Sequence, residues 1–353
     1  MLVFACTGCG TVLTAPVTRV ALPGHAHQRW GNGVPLPVLM EAGTYAVAPE
    51  PSGPPWRRWS EIKADEAEAR GVYAPVYALS FGSPGAIVIA PGDTRGTVLI
   101  PDRCDGYCCG LDGSSGPNLA CARCGRAVAT RIDDCSLWQA VWLAPDAVDH
   151  IPVDPHTDPT ASWTTLARKQ ESVAPVEPSG AWSPQWAAEA GAALAHLMAA
   201  SQGMPVALPD GLVADTFGHV LEALLPSGPS AKTAALAGPG LPTPDLAADI
   251  ALVPRHPQTG RTWQPSGTAH IVPLTAGAWS YLAFHSNRLL FPATGGLPDE
   301  FLRDTPPPMH PRSLFRPDSG VFLHTLARLP AVREPWLRRI YDRVNASPYT
   351  PPF

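Results

Sequence analysis

Two short motifs of the same form, Cys6-Thr-Gly-Cys9-Gly and Cys121-Ala-Arg-Cys124-Gly, constrain the fold of this chain more than any other feature. In each motif two cysteines, separated by two residues, are followed by a glycine. Glycine accepts a positive φ, so the chain can turn tightly and aim its amide N–H groups at the sulfurs. Two such turns that meet supply the four sulfurs of a tetrahedral zinc site. The motifs then predict a link between the first strand and a segment a third of the chain away.

The composition predicts a loop-rich protein of two domains. At 353 residues the chain is long for one hydrophobic core. Its 45% hydrophobic content is ordinary for a globular protein and argues against general disorder. The 43 prolines stand mostly between short apolar runs, and this pattern is typical of short strands joined by turns.

Charge and cysteine content narrow the classes of function. The net charge of −5 gives no general attraction to nucleic acid or anionic lipid. The N-terminus lacks the basic flank of a signal peptide, and no run of about 18 apolar residues predicts a membrane span. Eight cysteines without a secretion signal favour metal binding in a reducing compartment over disulfides. We therefore expect a soluble, cytoplasmic, metal-binding protein.

Residues 1–155 have the pattern of a β-rich domain. Short apolar runs alternate with Gly-Pro and Pro-Gly-Asp turns, which is typical of strands joined by tight connections. A charged segment, Ser60–Arg70, predicts a helix capped by Ser60. The predicted strands are Val12–Leu22, Val72–Leu79, Ala86–Ala90, Thr97–Ile100 and Ser136–Leu143.

Residues 156–182 lack periodicity and are predicted to be a linker, and residues 183–353 are predicted to form a mostly helical α+β domain. Ser183-Pro184 is the start signal of a helix that extends to about Ser201. Apolar residues at helical spacing predict a second helix that Pro226 ends. The helix predictions rest on Ser183–Ser201, Phe217–Leu224, Ala276–Leu290 and the segment from Glu334, and the strand predictions on Ile250–Val253 and His270–Leu274.

The cysteines can be divided between metal sites in two ways. In the first, Cys6, Cys9, Cys121 and Cys124 share one zinc ion. This arrangement is similar to a zinc ribbon whose two Cys-x-x-Cys turns are separated by a long insertion. A second, less regular site would then draw on the cysteines that remain, Cys104, Cys108, Cys109 and Cys135.

In the second division the cluster is local, because Cys104 and Cys108 stand close to the second motif at a finger-like spacing. Cys6 and Cys9 would then need other ligands. His25 and His27 are candidates, since a His-x-His pair on a strand directs both rings to one side. The choice matters because four thiolates close a zinc site, whereas a mixed site with a vacancy can activate water.

Two further segments give candidate functional residues. His25 and His27 lie in a glycine-bounded polar loop and would serve a metal-dependent hydrolase. Trp56-Arg57-Arg58-Trp59 interleaves aromatic and basic side chains, a combination that stacks on bases and contacts phosphates. The chain lacks the phosphate-loop, dinucleotide-binding, His-Glu-x-x-His and Gly-x-Ser-x-Gly motifs.

The interpretation that these patterns favour is an interaction or scaffold protein with a structural zinc ion and no catalysis of its own. Its predicted zinc ligands are the four cysteines of the two motifs. Its partner is expected to be a protein rather than a nucleic acid. A metal-dependent hydrolase and a nucleic-acid-binding zinc-ribbon protein are the two alternatives.

Overall fold

The chain is a mixed α+β protein with several sheets, which confirms the α+β class. The computed structural model describes residues 1–31, 35–104, 106, 110–153, 160–229, 232–241, 248–285, 311 and 313–346. Two compact units can be separated. The first comprises Met1–Arg70, Pro75–Thr160 and Pro257–Gly260, and the second Gly71–Ala74, Ala161–His256 and Arg261–Phe353.

The first unit is built mainly from short strands. Its elements are β1 (Leu2–Cys6), β2 (Thr18–Arg19), β3 (Thr44–Val47), β4 (Trp56–Arg58), α1 (Ala64–Ala69), β5 (Ala78–Ser80), β6 (Ile87–Ile89), β7 (Thr97–Leu99), β8 (Leu119–Cys121), β9 (Ala127–Ile132), β10 (Ala140–Leu143) and β11 (Val148–Pro152). Over the described residues of this unit, the strands form a seven-stranded sheet, in the order β2-β3-β6-β10-β9-β8-β7, and the two-stranded sheets β1-β11 and β4-β5.

Strand β10 lies at the centre of the seven-stranded sheet and is buried on both faces. Val141 and Leu143 pack into a core that includes Phe4, on the face that also receives β1. Ala140 and Trp142 pack into a second core on the opposite face. Successive side chains of a strand point to opposite faces, so a strand without polar residues must be covered on both. The buried strand predicted within Ser136–Leu143 is therefore confirmed.

The first cysteine motif sits where the chain reverses after β1. The amide of Leu13 donates to the carbonyl of Phe4, and the amides and carbonyls of Leu2 and Val17 exchange two hydrogen bonds. On its other side β1 pairs antiparallel with β11. Within the predicted strand Val12–Leu22, Val12 and Val17 therefore form isolated antiparallel bridges with β1. Regular strand structure in this segment is limited to β2.

The second unit combines six α-helices with a parallel sheet of four strands, over the residues that can be described. Its elements are α2 (Trp163–Lys169), α3 (Pro184–Ser201), β12 (Val206–Ala207), α4 (Leu212–Leu224), β13 (Lys232–Leu236), β14 (Ile250–Arg255), β15 (His270–Thr275), α5 (Ala276–Phe284), α6 (Ser319–Leu326) and α7 (Pro335–Asn345). The strand order in the sheet is β12-β13-β14-β15. Helix α2 falls within the stretch that the sequence predicts to be a linker. In the described part of the chain no helix is long and apolar enough to cross a bilayer.

The predicted helices occur with altered ends. Helix α3 begins where the sequence places it, because the hydroxyl of Ser183 accepts a hydrogen bond from the amide of Trp186. Helix α5 ends at Phe284, and residues 286–290 of the prediction lie outside the described residues. The prediction that Ser60 caps α1 is wrong. Ser60 lies in a 3₁₀ turn, Trp59–Glu61, and the extended backbone at Ile62 separates that turn from the helix.

Candidate metal centre

The first cysteine motif forms a tight turn at the end of β1. The carbonyl of Cys6 accepts hydrogen bonds from the amides of Cys9, at 3.3 Å, and Gly10, at 2.8 Å. Gly10 has a φ of 71°, a conformation that residues with a side chain seldom adopt. The turn therefore brings the sulfurs of Cys6 and Cys9 to the same side of the chain.

The second motif repeats this geometry in the connection from β8 to β9. The carbonyl of Cys121 accepts from the amide of Gly125 at 2.9 Å, and the amide of Cys121 donates to the carbonyl of Arg126 at 2.8 Å. Gly125 has a φ of 74°, matching the glycine of the first turn. The two motifs are thus equivalent in structure as well as in sequence.

The two turns face each other and bring their four sulfurs together. All four lie within 4.8 Å of one another. The Cys6–Cys124 and Cys9–Cys121 sulfur pairs are each 3.6 Å apart. A tetrahedral zinc ion with Zn–S bonds of about 2.3 Å requires S···S distances of about 3.8 Å, whereas a disulfide requires about 2.0 Å. All four cysteines are free thiols at spacings that fit a metal ion.

Hydrogen bonds stabilise negative charge on two of the sulfurs. The hydroxyl of Thr11, 3.2 Å from the sulfur of Cys9, and the amide of the same residue lower the pKa of Cys9 to about 6. Burial acts to raise the pKa of Cys121, but the amides of Cys124 and Arg123 outweigh it and the net shift is downward. These are the N–H···S contacts that the glycine-terminated turns predict.

The sulfur of Cys124 is harder to ionise than an ordinary thiol because other sulfurs of the cluster lie next to it. The amide of Arg126 acts to lower the pKa of Cys124. The sulfurs of Cys6 and Cys9 act in the opposite direction and outweigh it, which raises the pKa of Cys124 to about 11. Like charges at these distances disfavour a second ionisation. A divalent cation at the centre removes this repulsion and lets all four thiols ionise. The donor set therefore fits a bound metal ion.

The other cysteines do not join this cluster where they can be described. Cys104 is half-buried and donates to the carbonyl of Ile100 at 3.1 Å, and Cys135 is exposed. Cys108 and Cys109 lie outside the described residues. The cluster is that of the first division of the cysteines, with neither Cys104 nor a histidine in it. The second site, Cys104 with Cys108, Cys109 and Cys135, stays a prediction.

His25 and His27 lie in a turn rather than on a strand, and tryptophans cover both rings. The ring of His25 is 4.6 Å from that of Trp138, and the ring of His27 is 5.4 Å from that of Trp142, measured between centroids. His25 is buried. The structure thus places both histidines against the core face that contains these tryptophans, and their role in a hydrolase stays a prediction.

The Trp56–Trp59 segment forms β4 and the turn that follows it. Arg57 makes an ion pair with Glu66 at 2.8 Å and lies over the ring of Phe81 at 4.5 Å. Arg58 and Trp56 are exposed, and Trp59 is half-buried. One of the two arginines is therefore engaged within the protein, and a nucleic-acid interface at this segment stays a prediction.

Sequence reasoning overlooked Thr11. Its hydroxyl and amide both contact the sulfur of Cys9, and its carbonyl accepts from the amide of Cys6. The signal was its position two residues after the second cysteine. Arg126 holds the same position in the second motif and donates its amide to Cys124.

Of the residues that the structure describes, these four cysteines form the only group of three or more His, Cys, Asp or Glu side chains arranged to hold a metal ion. No family model, curated protein or solved structure matched the chain in comparison. The functional conclusion therefore depends on the chemistry of the site itself.

Proposed function

We propose that Cys6, Cys9, Cys121 and Cys124 bind a structural Zn²⁺ ion, and that the chain is an interaction or scaffold protein without catalysis of its own. The observation that carries this proposal is the set of sulfur–sulfur distances, with two edges of 3.6 Å and all others below 4.8 Å. Thiolate ligands in a tetrahedral arrangement favour zinc among the common divalent ions. Thiol ligands also need a reducing compartment, which supports a cytoplasmic location.

A site of four thiolates supports a structural role because it leaves no position for water or substrate. Here it would join β1, which pairs with β11, to β8 of the seven-stranded sheet. The bridged cysteines are 112 and 118 residues apart in sequence. The proposed zinc-ribbon-like site would lie wholly in the β-rich part that we assign to residues 1–155, before the proposed linker 156–182 and the helical part 183–353.

A protein partner fits these observations better than a nucleic acid does. The net charge is −5, and Arg57 of the aromatic and basic segment is paired with Glu66. Binding to a nucleic-acid backbone depends on unpaired cations that can replace counterions.

Metal analysis tests the proposal directly. We expect one zinc ion per chain at the four-cysteine site, and loss of that ion in Cys9→Ser. Cys104→Ser is the matched control, since it removes a thiol outside the cluster. After exchange with cobalt, the absorption spectrum should show thiolate charge transfer of four-sulfur intensity.

The same experiment separates the alternatives. His25→Ala combined with His27→Ala should leave the metal content and the cobalt spectrum unchanged. Loss of metal in that double variant would support a mixed site of the hydrolase type. Unchanged zinc in Cys9→Ser would contradict the proposed ligand set.

A further inference from the structure

Strand β7 forms one edge of the seven-stranded sheet, and it is exposed and apolar. It is the last strand in the sheet order and pairs only with β8 among the described strands. Val98 is 51% exposed and Leu99 49% exposed. Natural proteins usually protect such edges with charged residues, bulges or a covering segment, because an open edge is a template for pairing with another strand.

The pairing with β8 shows which backbone groups of β7 are free. The amide of Ala122 donates to the carbonyl of Gly96 at 2.9 Å, and the amide of Ile100 donates to the carbonyl of Asn118 at 2.8 Å. Hydrogen-bonded pairs alternate along an antiparallel ladder, so Val98 is the next residue to face β8. The amides and carbonyls of Thr97 and Leu99 therefore point towards the open edge.

A small basic cavity adjoins this edge. It has a volume of about 240 Å³, and its lining includes Thr97, Leu99, Thr94, Arg95 and Arg131 but no carboxylate. This volume is below the range of about 300–1,000 Å³ that is typical of sites for whole small molecules. The cavity is therefore of a size to receive one side chain.

Two polar atoms of the cavity residues are buried without a partner. These are Nε of Arg131 and Oγ1 of Thr94, among the groups that the structure describes. Nη2 of Arg131 makes an ion pair with the carboxylate of Asp133 at 3.0 Å, and this pair does not involve Nε. The guanidinium of Arg95 donates only to the carbonyls of Gly92 and Thr94 in the described region. Buried polar groups are normally satisfied, and a guanidinium is best satisfied by a carboxylate.

We infer that β7 binds an extended acidic segment of a partner protein, which adds a strand to the sheet and places one carboxylate side chain in the cavity of Arg95 and Arg131. Main-chain hydrogen bonds to Thr97 and Leu99 supply the pairing, and the arginines select the charge. The inference rests on the proposed interaction function and names the partner's chemistry.

The candidate zinc site would hold this edge in position. Ala122, whose amide bonds to the carbonyl of Gly96, is the residue immediately after Cys121. Gly96 has a φ of 55°, and a Cβ there would lie 2.7 Å from the carbonyl oxygen of Val12. Gly96, the residue before β7, therefore lies close to the backbone of Val12 and is hydrogen-bonded to the second cysteine turn through Ala122.

Peptides of alternating Thr and Val with blocked termini test the inference. In each peptide one position carries Glu, and the position changes from peptide to peptide. The control for each is the same peptide with Gln in place of Glu. On the zinc-loaded protein, we expect at least one Glu peptide to bind and to slow amide hydrogen exchange at Thr97 and Leu99. Its affinity should exceed that of the Gln peptide by about tenfold, the difference expected for one charge-assisted hydrogen-bonded pair.

Variants separate the contributions of charge and backbone. Arg95→Gln combined with Arg131→Gln should abolish the preference for Glu, whereas Arg58→Gln, which removes a positive charge from another exposed strand, should not. Leu99→Pro should abolish binding because it removes an outward amide, and Leu99→Ala, which keeps the amide, should bind. Proline is tolerated where a strand's N–H faces solvent, so the β7–β8 pairing should survive.

Three results would overturn the inference. The first is equal affinity for the Glu and Gln peptides. The second is no binding of any peptide at about 1 mM, a concentration at the weak end of specific affinity. The third is concentration-dependent dimerisation of the protein that Leu99→Pro abolishes. The last would identify a second copy of the chain as the occupant of the edge. Zinc content is measured on each preparation. Loss of peptide binding with one zinc retained rejects this inference alone, and absent zinc rejects the proposed function.

Discussion

Free zinc concentration should change the stability of the folded chain by an amount that the structure fixes. The described residues contain one four-sulfur cluster, so one ion is expected to bind the folded state and not the unfolded chain. A ligand of this kind adds RT ln(1 + [L]/Kd) to the free energy of unfolding. Above saturation, the unfolding free energy should therefore rise by about 1.4 kcal/mol for each tenfold increase in free zinc.

Urea unfolding in zinc buffers of known free concentration measures this slope. Cys9→Ser should move the start of this rise to a much higher free zinc concentration, because the loss of one thiolate ligand weakens zinc binding while the side chain keeps nearly the same size. Cys9 is only partly buried, so the substitution should otherwise cost little packing energy. Cys104→Ser is the control and should keep the wild-type slope.

The size of the slope also counts ions. A slope of about 2.8 kcal/mol per tenfold would indicate two ions released on unfolding. A second site that uses Cys104 would then be revealed if Cys104→Ser halved that slope. A slope of zero in the wild type, or a rise in Cys9→Ser that begins at the same free zinc concentration as in the wild type, would refute the assignment of the four cysteines as ligands.

Three further variants test other parts of the structure. Replacing His25 and His27 together by alanine should keep the zinc content but lower the unfolding free energy by about 1–3 kcal/mol, because both rings pack on tryptophans; loss of zinc would contradict this. Burial and then the charge of Arg255 lower the pKa of His196 to about 4. The unfolded state therefore binds the extra proton first, and stability should fall by about 3 kcal/mol from pH 7 to pH 4. His196→Gln should flatten that part of the stability curve measured by urea unfolding, and an unchanged curve would reject the assignment. Ser183→Ala should cost about 1 kcal/mol in a thermal or urea unfolding measurement because it removes the cap of α3, and a change near zero would show that the cap is dispensable.

Features determined by local sequence were the most predictable. The serine–proline start of α3 is a capping signal within a few residues, and the observed helix begins there. The stripe from Phe217 to Leu224 predicts a helix because its spacing follows the helical period, and α4 ends at Leu224. The prediction for Ser60 was wrong because a second local contact competes with the cap. The amide of Arg58 donates to the carboxylate of Glu61, and this contact favours a separate 3₁₀ turn.

The pairing of distant segments could not be predicted in the same way. Ile250–Val253 and His270–Leu274 read as strands from their apolar residues, but only the structure shows that β14 and β15 run parallel. The cysteine motifs predict two tight turns, yet ligand spacing alone allowed Cys121 and Cys124 to join either Cys6 and Cys9 or Cys104 and Cys108. Among the described residues, the structure brings Cys121 and Cys124 together with Cys6 and Cys9.

A metal ion at this position would compensate for short strands. Strands β6, β7 and β8 contain three residues each, so each pairing supplies few hydrogen bonds to hold the chain. Bonds from one ion to four sulfurs would hold Cys121, the last residue of β8, against the end of β1 whatever the length of the strands. Because β7 is attached to the sheet only through β8 in the described structure, the same ion would hold the edge strand. A closed zinc site can therefore serve binding without contacting a partner, by keeping an exposed edge and its arginines in a fixed geometry.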